Sequence, residues 1–330
     1  MIDFRYHLIS IIAVLLALSV GVVLGSGALG GPLLNNLEQS VQSLRERNRE
    51  LLDEVSERKS QAEETERFSA EVEPHLIDST LKGVDVVLIH IEDMGGGALD
   101  EMRAAIGEAG GSVSTRITLR SRFALSDDIS RDSLALAIGS SSGDQQEIRT
   151  QAAQLLGRRL AEAGAAQTDG AEVTPTPAPT SAPTPDKRAE DFLLDLQDQG
   201  FIEIDIEDEE DDGRLVAADA TFVLLAGGGE DPPFDVASFV SPLATSLGGG
   251  GAPFVIGETS ESSWNVIASV LDAGDARDAA ATVERVDETS GRVGVILALV
   301  EVLNGEIGHY GYDPGTTSVL PEPSEDGSVP

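Results

Sequence analysis

The pattern of hydrophobic and polar positions divides the chain into three parts. Residues 8–25 form an apolar run without a charge, residues 37–72 place apolar positions in steps of three and four among charged ones, and short apolar runs recur from residue 81 onward. An apolar run of about 20 residues can cross the hydrocarbon core of a bilayer as an α-helix. The sequence therefore predicts a single N-terminal transmembrane helix, a charged coiled-coil stalk and a folded domain.

The membrane helix is predicted to be an uncleaved signal anchor. Residues 1–30 comprise a cytoplasmic tail and the anchor, with residues 8–29 in contact with the membrane. Arg5 precedes the apolar run and the next basic residue is Arg45, so the positive-inside rule places the N-terminus in the cytoplasm and the bulk of the chain outside. A cleaved signal peptide is the alternative, because small residues such as Gly25-Ser26-Gly27 could form a cleavage site.

Two patterns favour a parallel homodimer. Ala17, Gly21 and Gly25 stack small residues on one helix face, which lets two membrane helices approach closely. The stalk is predicted as a coiled coil over residues 33–73, and Asn48 would fix the register of a parallel dimer. Its best seam consists of Leu37, Val41, Leu44, Asn48, Leu51 and Val55. A single amphipathic helix lying on its own domain is the alternative.

The stalk helix is predicted to end at Glu73-Pro74, because the residue before a proline is pushed out of the α region. Beyond it, alternating strands and helices predict an α/β domain with a mostly parallel sheet and flavodoxin- or Rossmann-like layers. The predicted strands are residues 84–91, 112–119, 202–206, 221–229, 253–258 and 281–287. The predicted helices are 98–109, 144–165, 188–198, 234–247, 262–271 and 290–303, while 133–139 fits either state.

A segment of biased composition divides the sequence of the α/β domain into two parts. Residues 80–166 and 189–316 are predicted to form its two parts, and the Pro/Thr/Ala-rich segment 167–188 between them is predicted to be a disordered insertion. Residues 317–330 are predicted to be a disordered tail. Each half alone has few strands, so one domain with an insertion is the favoured interpretation.

The chain is strongly acidic, with 58 acidic residues, 22 basic residues and a formal net charge of −36. This balance excludes nucleic-acid binding, which needs a basic surface to neutralise phosphates. It also argues against docking of the soluble part onto anionic lipids. Solubility is the simplest interpretation of the charge, and a cation-collecting surface is the alternative. The chain has no cysteine, which excludes disulfides and thiol chemistry.

Three motifs could carry chemistry, although an ordinary loop is the simpler interpretation of each. Gly139, Ser141 and Gly143 have the spacing of a nucleophile elbow. The glycine-rich turn at 226–233 could hold a phosphate at a helix N-terminus, but it lacks the spacing and the lysine of known phosphate loops. The acidic run 207–212 could gather a hard cation. The sequence does not predict an enzyme.

His90, Met94 and His309 are the candidate metal ligands. His90 and Met94 lie at the carboxyl end of the first predicted strand, where open α/β sheets place their ligands. Imidazole and thioether groups suit copper, so these residues could form a copper site together with His309. A partly buried histidine without a metal is the alternative.

Two stretches carry a family resemblance. The opening residues 1–27, which lead directly into the heptads, and residues 283–321 with an Asp-x-x-x-Gly-Arg-Val helix and His309-Tyr310-Gly311 resemble the actinobacterial copper transport protein family. The resemblance implies a role in copper homeostasis, by export or efflux through the envelope, with copper ion as a ligand and an outer-membrane channel proposed. It transfers no catalytic or metal-binding residue. A transmembrane barrel needs many amphipathic strands of about 10 residues, which this pattern lacks.

Two functions from different classes therefore follow from the sequence. The first is a membrane-anchored envelope protein of copper transport or resistance, as a parallel homodimer. The alternative is a non-enzymatic scaffold or adaptor in the periplasm or cell wall, whose α/β domain binds a protein partner.

Overall fold

The computed structural model describes residues 4–165, 185–207, 214–228 and 231–321. The chain forms two compact units, Met1–Thr65 and Glu66–Pro330.

The first unit consists of most of helix α1 (Phe4–Ile77). All side chains that the structure describes between Phe4 and Thr65 are exposed. Phe4–Gly25 is long and apolar enough to cross a membrane, which confirms the predicted N-terminal apolar helix. Further along α1 the exposed surface carries charge pairs one turn apart, such as Arg58 and Glu54 at 2.8 Å. The coiled coil stays a prediction.

The end of α1 differs from the expectation. The helix continues through Pro74 to Ile77, so the prediction that it stops at Glu73-Pro74 is wrong. A proline lacks the N–H that would bond to the carbonyl four residues earlier, here Ala70. Residues 66–77 belong to the second unit, and Glu73 and Ile77 are buried in it. This burial keeps the last turn of α1 helical despite Pro74. The stalk boundary predicted at residue 73 therefore does not separate the two units.

The second unit contains a seven-stranded sheet, whose strands are β1 (Asp85–Ile91), β2 (Ser112–Leu119), β3 (Ile202–Ile206), β4 (Thr221–Ala226), β5 (Phe254–Glu258), β6 (Ala281–Glu284) and β7 (His309–Tyr310). Their order is β3-β2-β1-β4-β5-β6-β7, and all neighbours are parallel except β2 and β3. The predicted mostly parallel sheet is confirmed. The order of its first six strands is that of Rossmann-type sheets, with the switch point between β1 and β4.

The described part has eight further α-helices and one short 3₁₀-helix (Ser121–Ala124). The α-helices are α2 (Gly96–Glu108), α3 (Asp128–Ile138), α4 (Gln145–Gly164), α5 (Pro185–Asp198), α6 (Val236–Gly248), α7 (Val266–Asp272), α8 (Gly274–Arg277) and α9 (Thr289–Leu303). The ambiguous segment 133–139 belongs to α3. That helix starts where the Asp127 side chain accepts a hydrogen bond from the Ser130 N–H, and it ends at Gly139 with φ +68°. Both are favoured helix-end structures.

Helices cover both faces of the sheet, which is why its central strands are nearly continuous apolar runs. On one face Val87 and Ile89 pack into a core centred on Phe123, whose ring lies 4.7 Å from that of Phe239 and 5.2 Å from that of Phe201. On the other face Val86 and other strand residues pack under α2, α9 and Ile77. The strand residues of each face alternate along the chain, as the pleat requires.

The two segments predicted as disordered need correction at their ends. Residues 167–184 lie outside the described residues, but 185–188 begin α5, with Pro185 at the first helical position that prolines favour. The predicted tail 317–330 begins too early. The Thr317 N–H donates to the His309 carbonyl at 2.6 Å and the Gly311 N–H to the Ser318 carbonyl at 3.0 Å, so this segment pairs with the edge of β7. Residues 322–330 lie outside the described part.

Candidate functional site

A cavity of about 190 Å³ lies at the carboxyl ends of β5 and β6, the edge where open α/β sheets bind ligands. Its polar lining includes Glu258, Ser262, Asn265, Glu284, Arg285 and Asp313. Ile267, Ala268 and Leu271 of α7 form an apolar wall. The second stretch of the family resemblance, residues 283–321, therefore contributes one side of this cavity.

Glu258 is buried at the end of β5, and its carboxylate is fully used by the protein. It accepts hydrogen bonds from the Ser262 hydroxyl at 2.7 Å and from the backbone N–H groups of Val266 and Ile267 at 3.2 and 2.9 Å. These amides are the unpaired donors at the start of α7. Glu258 therefore holds the first turn of α7 in place.

Glu284 plays a similar part at the end of β6. Its Oε2 accepts hydrogen bonds from the Tyr312 and Asp313 N–H groups at 2.7 and 3.3 Å. A Cβ on Gly311 would lie 2.3 Å from the carboxyl carbon of Glu284, so only glycine allows this approach. The loop after β7 is thereby tied to β6.

Strand β6 ends at Glu284, three residues before the predicted end at residue 287. The next residue, Arg285, takes the left-handed backbone conformation with φ +58°, which interrupts the strand. Its guanidinium lies 4.5 Å from the centre of the Tyr312 ring and pairs with Glu288 at 3.2 Å. A non-glycine residue in this conformation costs of order 1 kcal/mol or more and is often found at functional sites.

The cavity is smaller than the roughly 300–1,000 Å³ that is usual for small-molecule sites. Two of its three carboxylates bind backbone amides rather than pointing free into the space. The carboxylates thus hold the loops at this edge in place, and the cavity has room for a few water molecules or a small ion.

A second polar cluster lies beside this edge, at the start of α9. Arg292 is buried and donates from Nε and Nη2 to the carboxylate of Glu73 at 3.2 and 3.3 Å. Its Nη1 donates to Glu101 of α2 at 2.7 Å. The arginine of the Gly-Arg-Val stretch therefore ties the last turns of α1 to the domain.

Gly291 allows the start of α9, and with it Arg292, to lie close to the end of β6. A Cβ there would lie 2.0 Å from the carbonyl oxygen of Arg285, so the start of α9 can approach the end of β6 only with glycine at this place. In the Gly-Arg pair of the resemblance, Gly291 thus permits close packing and Arg292 forms the ion pairs.

His90 and His309 are each paired with a threonine on the neighbouring strand. His90 Nε2 and the Thr118 hydroxyl are 2.8 Å apart, and His309 Nδ1 and the Thr282 hydroxyl are 3.0 Å apart. Burial lowers the pKa of both imidazoles below the ordinary value of 6.5. Both rings are therefore neutral at pH 7, because burial disfavours the charged imidazolium.

The structure does not bring the three candidate metal ligands together. Three strands separate β1 from β7, which places His90 and His309 roughly 19 Å apart across the sheet. Met94 is buried in the apolar core on one face of the sheet. In the described part of the chain, no group of three or more His, Asp or Glu side chains is arranged for a metal ion. A role for His90, Met94 or His309 in copper binding stays a prediction.

The three weaker motifs have structural surroundings of their own. Gly139, Ser141 and Gly143 connect α3 to α4 without the strand that a nucleophile elbow requires. The glycine-rich turn is described only in part, and Gly228 packs against the Trp264 ring. Of the acidic run, Glu207 pairs with Arg103 and Arg116, and residues 208–212 lie outside the described part.

The predicted oligomer residues Ala17, Gly21, Gly25, Leu37, Val41, Leu44, Asn48, Leu51 and Val55 all lie on α1 and are exposed in the single chain. Val41 is 40% exposed and Leu44 is 64% exposed. Their roles in dimerisation stay predictions.

Sequence reasoning missed the contact between Glu73 and Arg292. The Gly-Arg-Val stretch was a visible signal, but its partner was hidden because Glu73-Pro74 was interpreted as the end of the helix. The docked positions Glu66, Ser69, Glu73 and Ile77 include only one apolar residue, so the sequence shows no apolar stripe that indicates a docked face.

Comparison with known proteins gives consistent results. A family model described as "Copper transport outer membrane protein, MctB" matches residues 1–321. The chain is 29% identical over 331 residues to proteins named copper transporter MctB from Mycobacterium tuberculosis and Mycobacterium bovis, covering 97% of this chain and 99% of each relative. It is 28% identical over 324 residues to the protein of the same name from Mycobacterium leprae.

Proposed function

Because the chain belongs to the MctB family of copper transport outer membrane proteins, as the resemblance predicted, we propose that it is a membrane-anchored envelope protein of copper transport or resistance. The observation that carries this proposal is the extent of the match, which includes the apolar helix and nearly all of the α/β domain. No catalytic role is proposed, in keeping with the name of the family.

The proposed orientation places the N-terminus in the cytoplasm and the α/β domain outside the cytoplasmic membrane. It is supported by Arg5 before the apolar segment and by the lack of basic residues between that segment and Arg45. Fractionation combined with protease accessibility in intact cells tests it. An α/β domain that is protected until the membrane is broken would contradict this orientation.

The proposed assembly is a parallel homodimer through α1. It is supported by the small residues of the membrane segment and by the exposed seam from Leu37 to Val55. Both patterns lie on one helix and would act together in a parallel pair.

The copper role is tested by deleting the gene in the source organism and measuring cell-associated copper and growth on copper. We expect deletion to change both, and full-length protein to restore them. A chain that lacks residues 8–25 should fail to restore them because it loses its anchor. Unchanged copper content and growth after deletion would contradict the proposal.

A scaffold or adaptor with an indirect effect on copper is the second candidate. It is favoured by the separation of His90 and His309 and by the lack of a three-residue metal group among the described residues. Calorimetric titration of copper into tag-free residues 66–330 distinguishes the two. Binding tighter than about 1 mM that is lost in a His90→Gln, His309→Gln double variant supports direct action, and no such binding supports the scaffold.

A further inference from the structure

The segment of α1 that contacts the α/β domain, residues 66–77, does so mainly through polar groups. In this segment only Glu73 and Ile77 are buried, while Ser69 and Val72 are half-buried and the other side chains are exposed. Ile77 lies in the apolar core at the C-terminal end of the segment. Little apolar surface holds residues 66–76 in place, and the hydrogen bonds of the two contacting glutamates carry much of their attachment.

The first of these glutamates caps a helix of the domain. Glu66 Oε1 accepts hydrogen bonds from the N–H and the hydroxyl of Thr289 at 3.0 and 2.6 Å, at the N-terminus of α9. A carboxylate is favoured there because the amides are unpaired and the helix dipole is positive.

The second glutamate pairs with Arg292, which keeps partners on the domain side if Glu73 leaves. Its Nη1 also donates to Glu101 and to the Asp287 carbonyl at 2.7 and 3.3 Å, and its Nη2 donates to the Thr289 hydroxyl at 2.9 Å. Removal of one partner from a buried ion pair is usually costly because it leaves an unpaired charge. Here that cost is reduced, since Glu101 still pairs with Arg292 and the departing Glu73 becomes hydrated, although the Arg292 Nε loses its Glu73 partner.

Two weak points in the backbone follow this contact along the chain. Pro74 follows Glu73 directly and removes one hydrogen bond from the helix, which is a common cause of a bend. After Ile77 the chain turns through Ser79 and Gly83, with φ +61° and +77°, before β1 begins. The segment can therefore move without a change in the strands.

We propose that Glu73 and Arg292 form a latch that holds residues 66–76 against the α/β domain and releases them without unfolding it, while Ile77 stays in the core. The latch shares the β6–α9 connection with Arg285, which lines the cavity at the carboxyl edge. The inference does not depend on a role in copper transport.

Hydrogen–deuterium exchange of the full chain in detergent micelles tests the latch. In the wild-type protein, amides of residues 70–77 should exchange faster than those of β4, because release is a smaller opening than unfolding. Glu73→Gln and Arg292→Met should accelerate exchange at residues 70–77 by at least tenfold, with β4 unchanged. Arg285→Met is the matched control, since it removes the same charge from the connection that precedes α9 without touching the segment, and it should leave residues 70–77 unaffected.

Fluorescence of Trp264, the single tryptophan of the chain, reports on the fold in each variant. It is buried in the domain and should not change. Exchange at residues 70–77 that is the same in both latch variants and in the control would overturn the proposal. Loss of β4 protection and of the native Trp264 signal in both latch variants would also overturn it, because the contact would then be part of the core.

Discussion

Apolar side chains in the two units of this chain have opposite surroundings. Leu15 and Leu16 of α1 are 57% and 62% exposed, whereas Leu224 and Leu225 of β4 are completely buried. Both pairs come from apolar runs, but one run is a long helix with apolar residues on all sides and the other is a short strand between turns. A helix of the first kind needs an apolar medium or a partner around it, whereas the second is covered by helices of its own domain.

The difference separates two sources of stability. The unit from Glu66 to Pro330 has its own core on both faces of the sheet, so changes there should alter its free energy of unfolding. Changes in the described part of the first unit should instead alter the partition into membrane and the association of chains. The following predictions test this separation.

The largest effect is expected in the core. Phe123→Ala removes a fully buried ring that contacts three other phenylalanines, and should lower the free energy of unfolding by about 3–5 kcal/mol. Urea denaturation followed by Trp264 fluorescence measures it. Leu44→Ala in the exposed seam is the control and should change this value by less than about 0.5 kcal/mol. Similar losses in both variants would contradict the separation of the two units.

A charge in the apolar helix should act on insertion and not on the domain. Leu16→Arg lies near the middle of Phe4–Gly25 and should cost about 2.5–3.5 kcal/mol of insertion free energy. The membrane-bound fraction after carbonate extraction should fall, while Leu16→Ile leaves it unchanged. An equal membrane fraction for Leu16→Arg would show that this segment is not the anchor.

The seam of α1 is tested at its polar position. Asn48→Val should change the oligomeric state or the register of the pair, since an apolar residue there no longer specifies a parallel dimer. Asn48→Ala should merely weaken association, by about 1 kcal/mol for one lost hydrogen bond. Sedimentation over a range of concentrations measures both. A wild-type chain that is monomeric at every concentration would refute the coiled coil.

The smallest effect is expected from the half-buried His90 and the buried His309. Because burial lowers the pKa of His90 and His309 in the folded state, the unfolded chain binds more protons as the pH falls below about 6.5. Stability should therefore be constant above neutral pH and decrease from pH 7 to pH 5. His90→Gln and His309→Gln should each reduce this decrease relative to the wild-type protein. A pH dependence in both variants that equals that of the wild-type protein would contradict the neutral state of His90 and His309.

Some features of the site followed directly from local sequence. The carboxyl end of the first strand was correctly located, because a short apolar run followed by glycines is a local signal. The short β7 was not predicted, since two residues are too few for a period to appear. The roles of Glu258 and Glu284 were also missed, because the amides that they bind follow them by 8–9 and by 28–29 residues.

The sequence by itself determined the apolar helix, most of the strands and helices along the chain, and the family, because each depends on periodicity or on contiguous residues. The tertiary structure alone decided which distant polar groups meet. It separated His90 from His309 by three strands, although both lie on strands of the same sheet. It also joined Glu73 to Arg292 across 219 residues of chain, which carried α1 past Pro74. Burial can hold such a pair together only once the strand order has placed α9 beside the end of α1, and no local pattern encodes that neighbourhood.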